Sequence, residues 1–98
     1  MEKNYFVYIT TNKTHRVLYT GVTSNLLQRI YYHRIGFYGG FSKKYNASKL
    51  VFYEHYRDVG FAIAREKQIK AGSRARKLKI INKMNPNWND LWDEIQDS

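Results

Sequence analysis

The stretch "YTGVTSNLLQRIYYH", residues 19 to 33, carries a tyrosine, an arginine ten positions further on and a histidine four beyond that. At about 100° per residue, Leu26, Leu27, Ile30 and Tyr31 form one apolar stripe of a helix, with Arg29 and His33 at its edge, bordering a core instead of open water. A guanidinium in that position can hold two oxygens of a phosphodiester as negative charge gathers on phosphorus, which a lysine does less well. A histidine there can relay a proton or hydrogen-bond a phosphate, or it can be a satisfied residue at the core edge. Between Lys3 and Tyr53 there is no carboxylate. A two-metal site, which needs several, cannot be assembled from this part of the chain. Glu66 stands as the single acid in a basic stretch, and one carboxylate with waters and a phosphate oxygen is an acceptable shell for Mg²⁺. The alternative for Glu66 is an i,i+4 ion pair with Lys70.

The elements that must position these residues follow from pattern. "NYFVYIT" (4 to 10) alternates and is rich in aromatic and β-branched residues, "TNKTH" is a turn, and "RVLYTG" (16 to 21) is a second short strand, so the two form a hairpin. Thr23 or Ser24 caps the helix that follows, which ends near Gly36. After the glycine-containing loop "GFYGGFSKKYNASK", the segment "LVFYEHY" (50 to 56) is the third strand. Asp58, Ser73 and Asn87 then stand as N-caps before "VGFAIAREKQIKA", "RARKLKIINKM" and "WNDLWDEI". In the last of these, Trp88, Leu91, Trp92 and Ile95 repeat at i, i+3, i+4 and i+7 and predict a core-facing stripe. The expected fold is therefore α/β (α+β): a small, mainly antiparallel three-stranded sheet flanked by helices in the order β-β-α-β-α-α-α. Ninety-eight residues with 43% hydrophobic content make one domain, residues 1–98, with one small core.

Charge points to the partner. From Lys3 to Lys49 there are eight Lys or Arg and no acid, and from Arg65 to Lys83 eight more with Glu66 alone against them, within a net charge of +9. Nucleic acid is favoured over a membrane because the basic residues are spread over several elements, although a merely solubilising surface is the alternative. Nine tyrosines, several beside basic residues as in "KKYN" and "RIYYHR", can stack on bases or pack at the core rim. No run approaches the roughly 18 apolar residues of a membrane span, and the N-terminus lacks the basic and apolar regions of a leader. With no cysteine, neither a disulfide framework nor a thiolate zinc site is available. The expectation is a cytoplasmic protein with no membrane partner.

"FVY" at 6 to 8 and "YTG" at 19 to 21, followed by Arg29, His33, "AREKQIK" and "NPNW", resemble the GIY-YIG nuclease family in its small stand-alone form, over nearly the whole chain. Two departures stand out. The glycine of the first motif is Phe6 here, and the region after Lys70 reads "AGSRARK" where relatives carry a tryptophan. The resemblance implies that Tyr8 and Tyr19 are the motif tyrosines, Arg29 and His33 the helical basic pair, Glu66 the metal-binding glutamate, and Asn85 the late asparagine, with Asn82 as its rival. It implies an endonuclease acting on nucleic acid, DNA first, by a one-metal mechanism using Mg²⁺ or Mn²⁺, with Tyr19 as general base. A free phenol ionises near pH 10, so that role needs positive charge close by, for which Arg29, His33 and Lys44 are the candidates. Tyr8 would orient water or its neighbour's hydroxyl, or else is a hydroxyl at the edge of a packed strand. Lys43, Lys44, Arg74, Arg76 and Lys77 are the candidate phosphate contacts, and a separate protein could supply targeting.

Two rival classes stay open. One is a non-catalytic nucleic-acid-binding module on the same scaffold. The other is a protein-interaction domain using the acidic residues Asp90, Asp93, Glu94 and Asp97.

Overall fold

Alternation along the first strand decides the architecture. In a computed structural model that describes residues 3–37 and 46–96, β1 (Tyr5–Thr11) lies at the centre of a three-stranded antiparallel sheet, between β2 (Leu18–Thr23) and β3 (Lys49–Tyr56), in the order β2-β1-β3. Val7 and Ile9 point to one side, where they pack with Val51, Phe52, Ala62, Ile69 and Ile81. Tyr8 points to the other, with Leu26, Ile30, Leu50, Leu91 and Ile95. The first side is covered by α2 (Val59–Ala71) and α3 (Arg74–Met84), and the second by α1 (Leu26–Arg34) and the short α4 (Trp92–Gln96). Class, strand number and element order are those expected.

Several boundaries differ from expectation, each for a local reason. The second strand starts at Leu18, not at 16, because the Asn12 side chain accepts from the amides of Arg16 and Val17 (3.0 and 3.2 Å) and holds them in the turn. Helix α1 is capped by Asn25, whose side chain accepts from the Gln28 amide at 3.1 Å. Thr23 is occupied one step earlier, accepting from the Asn25 amide at 3.1 Å. At its other end α1 closes with Phe37 N donating to Tyr32 O (2.9 Å) and Gly36 N to His33 O (3.3 Å), around Gly36 at φ 70°. This crossed pair of bonds needs a left-handed residue, which glycine supplies without steric strain.

Asp58 and Ser73 cap α2 and α3 as expected, accepting from the Phe61 and Arg76 amides. Asn87 caps nothing. The last helix begins at Trp92, with Asp90 accepting from its amide at 3.1 Å, and Trp88 sits before it at φ 54°. The anticipated four-residue stripe is accordingly split: Leu91, Trp92 and Ile95 pack on the α1 side, whereas Trp88 packs on the α2–α3 side and stacks on His15 at 4.7 Å.

The β1–β3 register slips between Ile9 and Thr10, so that Thr10 faces Leu50 and Ile9 faces Phe52 while Val51 has no partner on β1. The segment after α3 covers this irregular edge. Asn85 Nδ2 donates to the Val51 carbonyl at 3.1 Å, Leu91 N donates to the Leu50 carbonyl at 2.8 Å, and Leu50 N donates to Asp90 at 3.3 Å.

Candidate active site

Helix α1 is turned by about one position from the sequence expectation. Leu26, Ile30 and His33 are its buried residues, while Leu27 and Tyr31 are 44% and 50% exposed. His33 therefore belongs inside the stripe, only 5% exposed, and Arg29 occupies its half-buried flank. Apolar type misled here, since Leu27 and Tyr31 look like core residues and face water.

Tyr8, wholly buried, shares a hydrogen bond with His33 Nε2 at 3.1 Å. Tyr19 lies on the same sheet face, its ring centroid 5.2 Å from that of His33 and 6.3 Å from that of Tyr8. The three rings form one unit. What admits the Tyr8 ring is Gly21, which pairs with Tyr8 across the strands. A Cβ at residue 21 would stand 2.5 Å from Tyr8 Cζ, closer than carbon atoms approach. The "YTG" glycine is thus the seat of the first tyrosine, and a lone glycine within a strand is the signal that could have shown it. Burial, and next the Arg29 charge, lower the His33 pKa from 6.5 to about 4, so the imidazole is neutral near pH 7 and able to take a proton. The Thr10 hydroxyl, buried opposite Tyr19, has no hydrogen-bond partner among the described residues.

Glu66 approaches from the other side of the sheet. Ala62 and Ile69 form the buried edge of α2, and Arg65 and Glu66 stand on the two flanks of that edge. Arg65 reaches Glu54 on β3, with Nε and Nη2 at 2.8 and 3.3 Å from its two oxygens. Glu66 stands on the opposite flank from Arg65, on the face of the sheet away from Tyr8 and Tyr19. Its side chain is 12% exposed and pairs with Lys70 at 2.9 Å. Among the described residues no three His, Cys, Asp or Glu come together as a metal cage. One nearly buried carboxylate suits a cation that keeps most of its water, and does not suit one that demands a full set of protein ligands.

The remaining candidates have other employment. Both asparagines hold the chain after α3: Asn85, besides its bond to Val51, donates to Asn89 O (2.8 Å) and accepts from Asn89 N (3.0 Å), and Asn82 accepts from the Trp88 indole (2.6 Å). Arg74 places both terminal nitrogens on the carbonyls of Arg16 and His15, at 2.8 and 2.6 Å. Arg76 is exposed and Lys77 half-buried on α3, while Lys43 and Lys44 lie outside the described residues. Asp90 pairs with Arg34, and Glu94 accepts from the Tyr53 hydroxyl at 2.8 Å. Burial, and then Glu94, push the Tyr53 pKa up to about 12. Of the four acids considered for a partner, Asp90 and Glu94 are thus used inside the molecule, Asp93 accepts from Gln96 Nε2 at 3.5 Å, and Asp97 lies outside the described residues. No helix among the described residues is long and apolar enough to cross a membrane.

Comparison with known proteins adds the lineage. The model of the GIY-YIG catalytic domain matches residues 4–85, which contain the tyrosine pair, the α1 basic residues, Glu66 and Asn85. The chain belongs to the GIY-YIG family. Among similar proteins, this GIY-YIG chain is 42% identical to a UPF0213 protein of Syntrophus aciditrophicus over 88% of its own length and 97% of the relative's. It is 40% identical to a UPF0213 protein of Staphylococcus haemolyticus over 83% and 96% of the two chains. The solution NMR structure of a UPF0213 protein from Bacillus halodurans shares the GIY-YIG chain's fold at a TM-score of 0.58 and 24% identity, covering 89% of this chain and 92% of that one.

Proposed function

We propose that this GIY-YIG domain is an endonuclease that hydrolyses phosphodiester bonds of nucleic acid, DNA in the first instance, with one Mg²⁺ or Mn²⁺ ion. The observation that carries the reading is the ring unit of Tyr8, Tyr19 and His33: a tyrosine, a neutral imidazole and a second tyrosine in mutual contact, with Arg29 one helical turn before the histidine. Such a unit fixes hydroxyl positions, as proton transfer needs. Acting as its phenolate, Tyr19 accepts the proton of the attacking water as the water oxygen bonds to phosphorus and the bond to the leaving oxygen breaks. The leaving oxygen departs as an alkoxide that takes a proton from solvent. Tyr8 and His33 hold the Tyr19 ring in place, and the Arg29 guanidinium takes up the charge that grows on the phosphoryl oxygens. Glu66 would hold the metal ion, which supplies Lewis-acid stabilisation of the phosphoryl and leaving oxygens. Asn85 acts at a distance by anchoring the segment that covers β3.

The test is single-turnover cleavage of labelled single-stranded, duplex and branched DNA and of RNA, with Mg²⁺, Mn²⁺ or EDTA, alongside equilibrium binding. Glu66→Gln should abolish metal-dependent cleavage and keep or strengthen binding. Arg29→Lys keeps the charge and loses the planar fork, so cleavage should fall by roughly 10² to 10³ with little change in affinity. A wild-type protein that binds DNA and cleaves nothing with either metal would make the chain a binding module instead. Cleavage undiminished by Glu66→Gln would remove that residue as metal ligand.

A further inference from the structure

The cations of α2 and α3 fall into two groups. Arg65, Lys70 and Arg74 are each satisfied inside the molecule, by Glu54, by Glu66 and by two main-chain carbonyls. Arg76, Lys77 and Lys79 have no acidic partner among the described residues, although they stand within one turn of α3, where like charges repel. All three line a groove of about 190 Å³ between α2 and α3, over a floor that includes Ile69, Gly72 and Ile80 and with no acid in its lining. The groove includes Arg65 and therefore opens on the flank of α2 away from Glu66. Between the groove and the Glu66 carboxylate stands the body of one helix, about 10 to 12 Å across with its side chains.

We infer that this groove is a second phosphate track, a place where the nucleic-acid backbone is gripped and not cut. The inference rests on the nuclease reading for its substrate class and adds a footprint. A strand with one phosphate at a metal ion held by Glu66 and others in the groove must span at least the width of α2. At about 3.4 Å of axis per nucleotide, that is three to four nucleotides beyond the cut. Arg74, committed to the hairpin turn, is not part of the track, and Lys79 is. Phosphate contacts of this kind position the substrate and carry no base information.

The experiment is equilibrium binding in EDTA, as a function of salt, for duplexes of increasing length and for vesicles containing phosphatidylserine. It compares wild type with the triple variant Arg76→Gln, Lys77→Gln, Lys79→Gln and with a charge-matched control, Lys3→Gln, Lys13→Gln, Lys67→Gln, each checked for folding by circular dichroism. Because the triple variant can no longer neutralise three phosphates, its log-log salt slope for long duplexes should flatten by about 2.7, and affinity near 0.1 M salt should fall by roughly two orders of magnitude. The control should change the slope by less than about one. Equal losses in the two triples would reduce the groove to a share of overall charge and overturn the proposal. Loss of vesicle binding with DNA affinity intact would also overturn it, assigning the groove to a membrane surface. No cleavage is needed for the readout, so an inactive protein that shows the slope change fails the nuclease reading and keeps the track.

Discussion

The two faces of the sheet solve different problems with different materials. On the α1 side, Tyr8 and His33 are buried and bonded to each other, Tyr19 packs against both, and one glycine sets the fit. On the α2–α3 side, the groove cations sit on a helix surface with no acidic partner among the described residues. Reaction chemistry requires a few groups at fixed separations, so it draws on packing and hydrogen bonds. Backbone binding requires charge over a length, so it draws on solvated side chains that can follow a phosphate. The difference predicts that substitutions in the ring unit act on fold and chemistry together, and those of the groove cations on affinity alone.

The hardest blow to the first face should come from Gly21→Ala. The added methyl meets the Tyr8 ring across the hairpin, and we expect a loss of about 3 kcal/mol in urea unfolding, at the upper end for an overpacked site. If Tyr8 is driven out, water reaches His33 and its pKa climbs back toward 6.5, which NMR titration can follow. Unchanged stability and unchanged titration would mean that the glycine seats nothing.

A milder effect comes from pH. The folded state holds His33 near 4, below its unfolded 6.5, so this contribution is complete above about pH 6.5 and shrinks as pH falls toward 4. By pH 5 the loss should be about 2 kcal/mol. His15, lowered by burial and by Lys49, acts in the same direction, so the measurement is the difference between wild type and His33→Gln across pH 7.5 to 5. Parallel pH curves for the two proteins would rule out His33 as the source.

The smallest of these effects tests whether Asn85 belongs to either face. Asn85→Ala removes the donor to the Val51 carbonyl and both bonds to Asn89, which should cost about 1.5 kcal/mol, with cleavage following the folded fraction. A fully folded variant with cleavage down a hundredfold would instead bring Asn85 to the phosphate.

How much of this was legible beforehand varied with the range of the forces involved. Strand number, element order and the caps Asp58 and Ser73 depend on alternation and short-range capping, which lie open in the residues. The rotation of α1 was not legible, because Leu27 and Tyr31 match Leu26 and Ile30 in type, and only the position of the sheet tells them apart. Trp88 escaped for a similar reason: its spacing fits a helix, but its indole bonds Asn82 and its ring stacks on His15 from the distant hairpin turn. The employment of Arg74 and Asn85 was likewise set by carbonyls far off in the chain, which leave no trace in local pattern.

The bonds that close the irregular side of β3 also bear on synthesis. The family match stops at residue 85, yet Asp90 and Leu91 occupy the polar groups of Leu50, and Leu91 and Ile95 complete the apolar layer over Tyr8. Translation delivers those residues after the sheet that they cover. A nascent chain in which α1, β3 and the central helices have already formed therefore still shows an open strand edge and bare leucine and tyrosine, the features that join one chain to another. A shortened protein ending at residue 85 would keep that state for good. It should pass from the monomer peak into aggregates in a concentration-dependent way, even though every residue of the tyrosine, arginine and histidine constellation is present.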